Sequence, residues 1–120
     1  MADQPAPANP SEPDAARLAA LRLLAEQPRL SQRELSVALG LSLGKTHYLL
    51  HALLDKGLVK ARNFRRSDNK LAYAYVLTPS GLREKLRLTQ AFLSRKESEF
   101  EMLKTTIADL RAELGVQHRP

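Results

Sequence analysis

The chain has 120 residues, no cysteine, three histidines and a net charge of +6. This composition suits one small domain and disfavours disulfides, thiolate metal sites and histidine-based catalysis, so we expect no enzyme and no cofactor. Because the sequence shows neither a stretch of about eighteen apolar residues nor a leader-like amino terminus, we expect a cytoplasmic protein that does not enter the membrane.

The predicted elements begin after a proline-rich start. Residues 1–13 contain four prolines and few large apolar side chains, which predicts a disordered tail. From Asp14 to Pro28 apolar residues recur at helical spacing. They predict a first helix with a buried face made of Leu18, Leu21, Leu24 and Ala25.

Two short helices joined by a turn are predicted next. Ser31 and Glu34 have the spacing of a capping box, and Gly40 suits the left-handed position that ends a helix. Ser42 can cap the following helix, which runs to Lys56 before Gly57. We expect the second helix to bury Leu35, Ala38 and Leu39, and the third to bury Thr46, Leu49, Leu50 and Leu53. Together they form a helix-turn-helix, whose second helix enters the DNA major groove.

The third helix begins with Gly-Lys-Thr at residues 44–46, which invites comparison with the phosphate-binding loop of nucleotide hydrolases. That loop needs four residues between its first glycine and the Gly-Lys pair, and it follows a buried strand. Here three residues separate Gly40 from Gly44, and a helix precedes them. We therefore disfavour a nucleotide site and predict that this helix end binds DNA phosphate.

A hairpin and a long helix complete the chain. The segments LVKARNF and LAYAYVLT flank the turn-forming, basic RRSDNK and predict two strands. We expect Tyr73, Tyr75 and Leu77 to be core residues, and Asp68 and Asn69 to shape the turn rather than read bases. Thr78 and Pro79 then open a helix that can continue to Leu114.

The long helix carries a heptad pattern. With Leu86 at position a, eight of the ten a and d positions are apolar. These apolar residues form a stripe along one side of the helix. If the long helix folded back on the first helix, that contact could cover only the beginning of the stripe, so a second copy of the chain is the simplest cover for the rest. The dimerisation residues that we predict are Leu93, Phe100, Leu103, Ile107, Leu110 and Leu114.

The sequence therefore predicts a mainly α-helical protein with a small β-hairpin. A winged helix-turn-helix domain is expected over residues 14–78, a dimerisation helix over 79–115 and a disordered end over 116–120. Residues 31–70 hold eight basic and three acidic side chains, which is typical of a polyanion-binding face.

The order of these parts, with LxxxGLV before the hairpin and LTPxG after it, resembles the multiple-antibiotic-resistance regulator (MarR) superfamily over residues 15–114. The likeness is greatest to its small exopolysaccharide-associated branch. The resemblance implies a bacterial homodimeric regulator, a repressor of exopolysaccharide genes, with the third helix in the major groove and the hairpin tip near the minor groove.

The chain departs from the family in its wing and in its length. The family wing usually carries Asp-x-Arg, whereas residues 68–70 are Asp-Asn-Lys, so Arg65 or Arg66 would supply the minor-groove arginine. The chain is also shorter than common family members, with little room for the ligand pocket that some of them carry, so the resemblance does not establish small-molecule induction. The operator, the choice between repression and activation, any effector ligand, the regulated pathway and the direction of helix pairing stay open.

The DNA-binding residues predicted on the third helix share its amino-terminal turn or its outward face. Lys45 suits a guanine edge or a phosphate, and Tyr48 suits a phosphate or a thymine methyl group. Wing arginines and lysine would neutralise phosphates. The full set is Ser42, Leu43, Gly44, Lys45, His47, Tyr48, His51, Arg62, Arg65, Arg66 and Lys70.

Two alternatives accompany this interpretation. His47 and His51 have the spacing of a zinc pair, but Asp55 could supply at best a third ligand, so we expect DNA contact or plain surface and no metal. A protein-interaction module that docks a partner through the long helix is the alternative to a DNA-binding regulator.

Overall fold

The computed structural model describes residues 12–115 of the chain. The elements are α1 (Glu12–Glu26), α2 (Gln32–Leu39), α3 (Leu43–Asp55), β1 (Val59–Arg65), β2 (Leu71–Leu77) and α4 (Pro79–Glu113). The strands form an antiparallel hairpin in which Val59 pairs with Leu77 and Arg65 with Leu71. This architecture confirms the predicted fold class, a winged helix-turn-helix with a long carboxy-terminal helix.

The chain divides into two units, of which one extends to Thr89 and the other takes α4 from Gln90 onward. The predicted tails lie outside the described residues, except for positions 12 and 13. These two belong to α1, so the helix begins two residues before Asp14. Pro13 fits there because the first turn of a helix needs no backbone N–H from it. None of the helices within residues 12–115 combines the length and apolarity that a membrane crossing requires.

The core of the first unit is built from leucines of several elements. The buried residues include Leu18, Leu21, Leu24, Leu35, Leu50, Leu53, Leu58 and Leu88. Burying each such side chain contributes roughly 1.5 to 3 kcal/mol. Packing of α1 against α2, α3 and β2, and of α2 against α3, therefore stabilises this unit.

Two predicted core alanines are exposed instead. Ala25 faces solvent near the end of α1, and Ala38 faces solvent on α2. In α2 the inward face comprises Leu35, Ser36 and Leu39, because positions i, i+1 and i+4 share one side of a helix. Ser36 can be buried there because its hydroxyl donates to the carbonyl of Arg33 at 2.7 Å.

The junction between the hairpin and α4 is tightly packed. The Thr78 hydroxyl donates to the Gly57 carbonyl and accepts from the backbone N–H of Gly81 at 3.0 Å. The backbone N–H of Thr78 donates to the Leu58 carbonyl at 3.0 Å. A Cβ atom at Gly81 would lie only 1.9 Å from that same Leu58 oxygen. The spacing of LxxxGLV and LTPxG thus reflects a direct contact between the two motifs.

An ion-pair cluster also joins α1 to the start of α4. Glu84 accepts from Arg87 at 2.7 Å and from Arg17 of α1 at 3.1 Å. The hydrogen bond from Arg87, followed by that from Arg17, lowers the pKa of Glu84 to about 2. Its carboxylate therefore stays ionised over the whole range in which a protein of this kind works.

We expect Gly81→Ala to lower the free energy of unfolding by about 1 to 3 kcal/mol, because the added methyl group meets backbone that must move. Gly44→Ala is the matched control, since a Cβ atom there meets nothing within 4 Å. That control should gain up to about 1 kcal/mol of helix propensity. Urea unfolding compares the two, and equal midpoints for Gly81→Ala and wild type would contradict the close approach.

Candidate nucleic-acid interface

The amino-terminal turn of α3 is an exposed helix end. Ser42 caps it, with its hydroxyl accepting from the backbone N–H of Lys45 at 3.1 Å. Leu43, Gly44 and Lys45 are exposed. Free backbone N–H groups and the positive end of the helix dipole make such a turn attractive to phosphate.

The Gly-Lys-Thr sequence is built differently from a nucleotide-binding loop. Thr46 is fully buried, and its hydroxyl donates to the Ser42 carbonyl at 2.9 Å. A nucleotide loop needs that hydroxyl to bind a magnesium ion. Because a helix also precedes the motif, α3 is a capped helix whose threonine serves the core.

The remaining turns of α3 separate an inward from an outward face. Thr46, Leu50 and Leu53 are buried and Leu49 is half-buried, which follows the predicted periodicity. His47, Tyr48 and His51 are exposed on the opposite side. Tyr48 keeps 80% of its surface accessible, an unusual exposure for a large aromatic residue with no core role.

The two histidines of α3 contact each other. Their ring centroids lie 4.2 Å apart, with the ring planes inclined by 54°. No group of three potential metal ligands occurs among residues 12–115. Nδ1 of His47 instead lies 3.1 Å from the side-chain oxygen of Gln32, the first residue of α2.

The start of α2 is rigidly capped. The Ser31 hydroxyl accepts from the backbone N–H of Glu34 at 3.0 Å, and the Glu34 carboxylate accepts from the backbone N–H of Ser31 at 2.9 Å. These bonds confirm the predicted capping box. The hydrogen bond from the Ser31 backbone lowers the pKa of Glu34, and the charge of Arg66 acts in the same direction.

The wing ends in a tight turn. The backbone N–H of Asn69 donates to the Arg66 carbonyl at 2.8 Å, and Asn69 adopts a left-handed conformation with φ of 65°. The Asp68 carboxylate accepts from the backbone N–H of Lys70 at 3.1 Å. Asp68 and Asn69 therefore shape the turn, as the sequence predicted.

The cations of the wing are exposed around this turn. Arg65 donates to the Asn69 carbonyl at 3.2 Å, and Arg66 lies 3.8 Å from the Asp68 carboxylate. Each of these arginines therefore contacts a residue of the wing turn itself. Arg62 and Lys70 are also exposed. The tip therefore offers a cluster of positive charge that phosphate can reach.

A groove of about 510 Å³ separates the wing from the start of α2. Gln32, Arg65, Arg66 and Tyr73 are among the residues that line it. The guanidinium of Arg29 stacks over the Phe64 ring at 4.6 Å, which places one more cation at this groove.

Of the three residues expected in the core from β2, only Tyr75 is buried. Tyr73 is 57% exposed and Leu77 is half-buried. Tyr75 is held because its backbone N–H donates to the Pro28 carbonyl at 2.9 Å. A two-stranded hairpin has no further strand to cover its distal part, so residues nearer the tip stay exposed.

Gln32 belongs to this candidate surface, because it contacts His47 and lines the groove beside the wing, and the sequence analysis did not predict it. The signal that could have found it is its position directly after a cap, in the helix that precedes the predicted recognition helix. Helical periodicity within α3 could not reveal it, because the contact joins residues fifteen positions apart.

Comparison with known proteins agrees with this geometry. Residues 13–60 match the family model described as winged helix-turn-helix DNA-binding. No curated protein matches the chain.

Solved structures of transcriptional regulators share its fold. One is MepR, a transcription regulator of the Staphylococcus aureus multidrug efflux pump MepA, at 21% identity and a TM-score of 0.55, with 82% of this chain and 78% of that chain covered. Another is the Mycobacterium tuberculosis MarR family protein Rv2887 in complex with p-aminosalicylic acid, at 19% identity and a TM-score of 0.58, with 83% and 77% covered. The PcaV transcriptional regulator from Streptomyces coelicolor gives 21% identity and a TM-score of 0.55, with 88% and 82% covered. The chain therefore contains a winged helix-turn-helix DNA-binding domain and has the fold of these regulators.

Proposed function

We propose that this protein is a sequence-specific double-stranded DNA-binding transcriptional regulator that acts in the cytoplasm as a homodimer. The proposal assigns α3 to the major groove and the wing to the flanking backbone or minor groove. The resemblance to exopolysaccharide-associated regulators supports a repressor of such genes. Footprinting on the DNA upstream of its own gene tests this target, with protection of no segment as the contrary outcome.

The observation that carries the proposal is a continuous polar surface between α3 and the wing. Gln32 contacts His47 of α3 and also lines the groove that Arg65 and Arg66 border. Lys45 and Tyr48 extend the same exposed face of α3. A duplex contacted by α3 and the wing would thus meet donors and cations along its backbone and base edges.

Self-association is supported by the exposed apolar stripe of α4. From Gln90 to Gly115 no described residue is buried, although Leu93, Phe100, Leu103 and Leu110 recur at a and d positions. Each of these four leaves more than half of its surface accessible. A stripe of this length on an isolated helix favours a second helix as its cover, and two copies would present two recognition helices to two half-sites.

We expect Lys45→Ala combined with Tyr48→Ala to weaken binding to a preferred duplex by roughly 1 to 3 kcal/mol per lost base contact. Both side chains are exposed, so the fold should persist. Lys56→Ala is the matched control because it removes the same charge from the other end of α3, about 16 Å along the axis. Unchanged affinity in a double variant with a wild-type circular dichroism spectrum would contradict the role of α3.

We expect Arg65→Ala and Arg66→Ala each to reduce the salt dependence of binding by about one unit per bound subunit, because each removes a phosphate contact. Preferred and random duplexes should lose affinity equally. Arg22→Ala, at an exposed position of α1, serves as the control for general charge effects. A loss confined to the preferred duplex would instead indicate minor-groove reading, and no loss would show that the wing stays off DNA.

We expect Leu103→Glu with Leu110→Glu to yield a folded monomer with far weaker operator binding, because charge enters the apolar seam. Light scattering measures the change in mass. The control Met102→Glu with Ala108→Glu places the same charges outside the a and d positions and should stay dimeric. Wild-type protein that is monomeric at micromolar concentration would favour a different protein as the partner of α4.

A further inference from the structure

Gln32 lies at a meeting point of three elements. Its side-chain oxygen is 3.1 Å from Nδ1 of His47 on α3, and its side-chain nitrogen is 3.5 Å from the hydroxyl of Tyr75 on β2. His47 also contacts His51, with ring centroids 4.2 Å apart and ring planes inclined by 54°. The amide thus links the base of the wing to the exposed face of α3.

The backbone around Gln32 leaves this amide little freedom. The residue follows the Ser31 cap directly, so the reciprocal Ser31–Glu34 bonds fix where its side chain begins. Tyr75 is 8% exposed, and its own backbone is tied to Pro28 at 2.9 Å. Ser31, which precedes Gln32 in the chain, and Tyr75, which contacts its amide nitrogen, are therefore both held in place by hydrogen bonds.

The contact with Gln32 favours one neutral form of the imidazole. An amide oxygen only accepts hydrogen bonds, so the 3.1 Å contact is a hydrogen bond when Nδ1 of His47 carries the proton. A neutral imidazole has a single N–H, and a proton on Nδ1 leaves Nε2 as an acceptor. In the major groove an acceptor pairs with the amino group of cytosine or adenine rather than with the acceptor atoms of guanine.

We infer that Gln32 is a positioning residue that fixes the Nδ1–H tautomer of His47 and thereby directs His47 to a base-edge amino group. The inference deepens the proposed DNA-binding function and rests on it. Three contacts carry it: Gln32 to His47, Gln32 to Tyr75, and His47 to His51.

The tautomer can be read without DNA. Long-range proton–nitrogen correlation spectra of the nitrogen-labelled protein, recorded where imidazole is neutral, show which ring nitrogen of His47 carries the proton. We expect Nδ1–H in wild type and in Gln32→Glu, whose carboxylate still accepts, and a redistribution toward Nε2–H in Gln32→Leu. Gln27→Leu, at the exposed residue that follows α1, is the matched control and should leave the signal unchanged.

The effect of the His47 tautomer on base recognition is measured with a DNA duplex as the probe. A duplex of about 20 base pairs, enough for two half-sites, is selected by the wild-type protein from a randomised library. Each base pair is then changed in turn. We expect one pair per half-site whose loss of an amino group weakens wild type by about 5- to 150-fold. Gln32→Leu and His47→Ala should each remove the base preference at that pair and at no other. The double variant should lose no more of this preference than either single variant, and Gln32→Glu should keep it.

Each contrary result has its own meaning. A proton on Nε2 in wild-type protein would overturn the inference, because the amide would then present its NH₂ group to His47. An equal loss of affinity on every duplex in Gln32→Leu would also overturn it, since that is the behaviour of a phosphate contact. If wild type enriches no duplex, the proposed function fails and the base reading with it, while the spectrum still decides whether Gln32 sets the His47 tautomer.

Discussion

The contact of Gly81 with the Leu58 carbonyl constrains the parts around it more than any other feature. It fixes the first turn of α4 on the residue that leads into β1, and Thr78 ties the same turn to Gly57 after α3. One short segment therefore connects the end of α3, the outer ends of both strands and the start of α4. A side chain at Gly81 would separate these parts, because the obstructing atom is backbone and cannot adopt another rotamer.

The start of α2 connects the exposed face of α3 to the wing. In many folds a helix cap only satisfies backbone groups, but here the capped turn also carries Gln32 between α3 and the wing. Glu34 places an anion beside this surface, and its depressed pKa keeps it charged. The positive charge of Arg66 contributes to that lowering, so the two side chains interact electrostatically across the groove.

Apolar residues are buried in the first unit but exposed along the later part of α4. Core leucines from α1, α2 and α3 stabilise the first unit, whereas no apolar residue of α4 between Gln90 and Glu113 is buried. Charged residues of this segment pair within the helix: Lys96, at a d position, pairs with Glu99 at 3.2 Å, and Lys104 pairs with Glu101 at 3.6 Å. Exposed pairs of this kind contribute little stability, so the proposal of self-association depends on the apolar stripe and not on these charges.

The sequence by itself determined the order of elements, their caps and the helix-turn-helix, because these depend on local signals. Ser31 with Glu34, Gly40 and Ser42 each act within one turn of the chain, and the period of 3.6 predicted the buried face of α3. The same local rules placed the wing cations and the turn at Asp68 and Asn69. Whether those exposed residues contact DNA remains a prediction, since neither periodicity nor exposure identifies a ligand.

The tertiary structure decided what depends on neighbours distant in the chain. Tyr73 and Tyr75 occupy the same strand face, yet only Tyr75 reaches Pro28, so alternation could not separate them. The role of Gln32 arises from a contact with His47 across two helices, and the need for glycine at position 81 arises from backbone that approaches from Leu58. Local sequence fixes which elements form, whereas close contacts depend on the angle at which those elements pack, and no short stretch of sequence contains that angle.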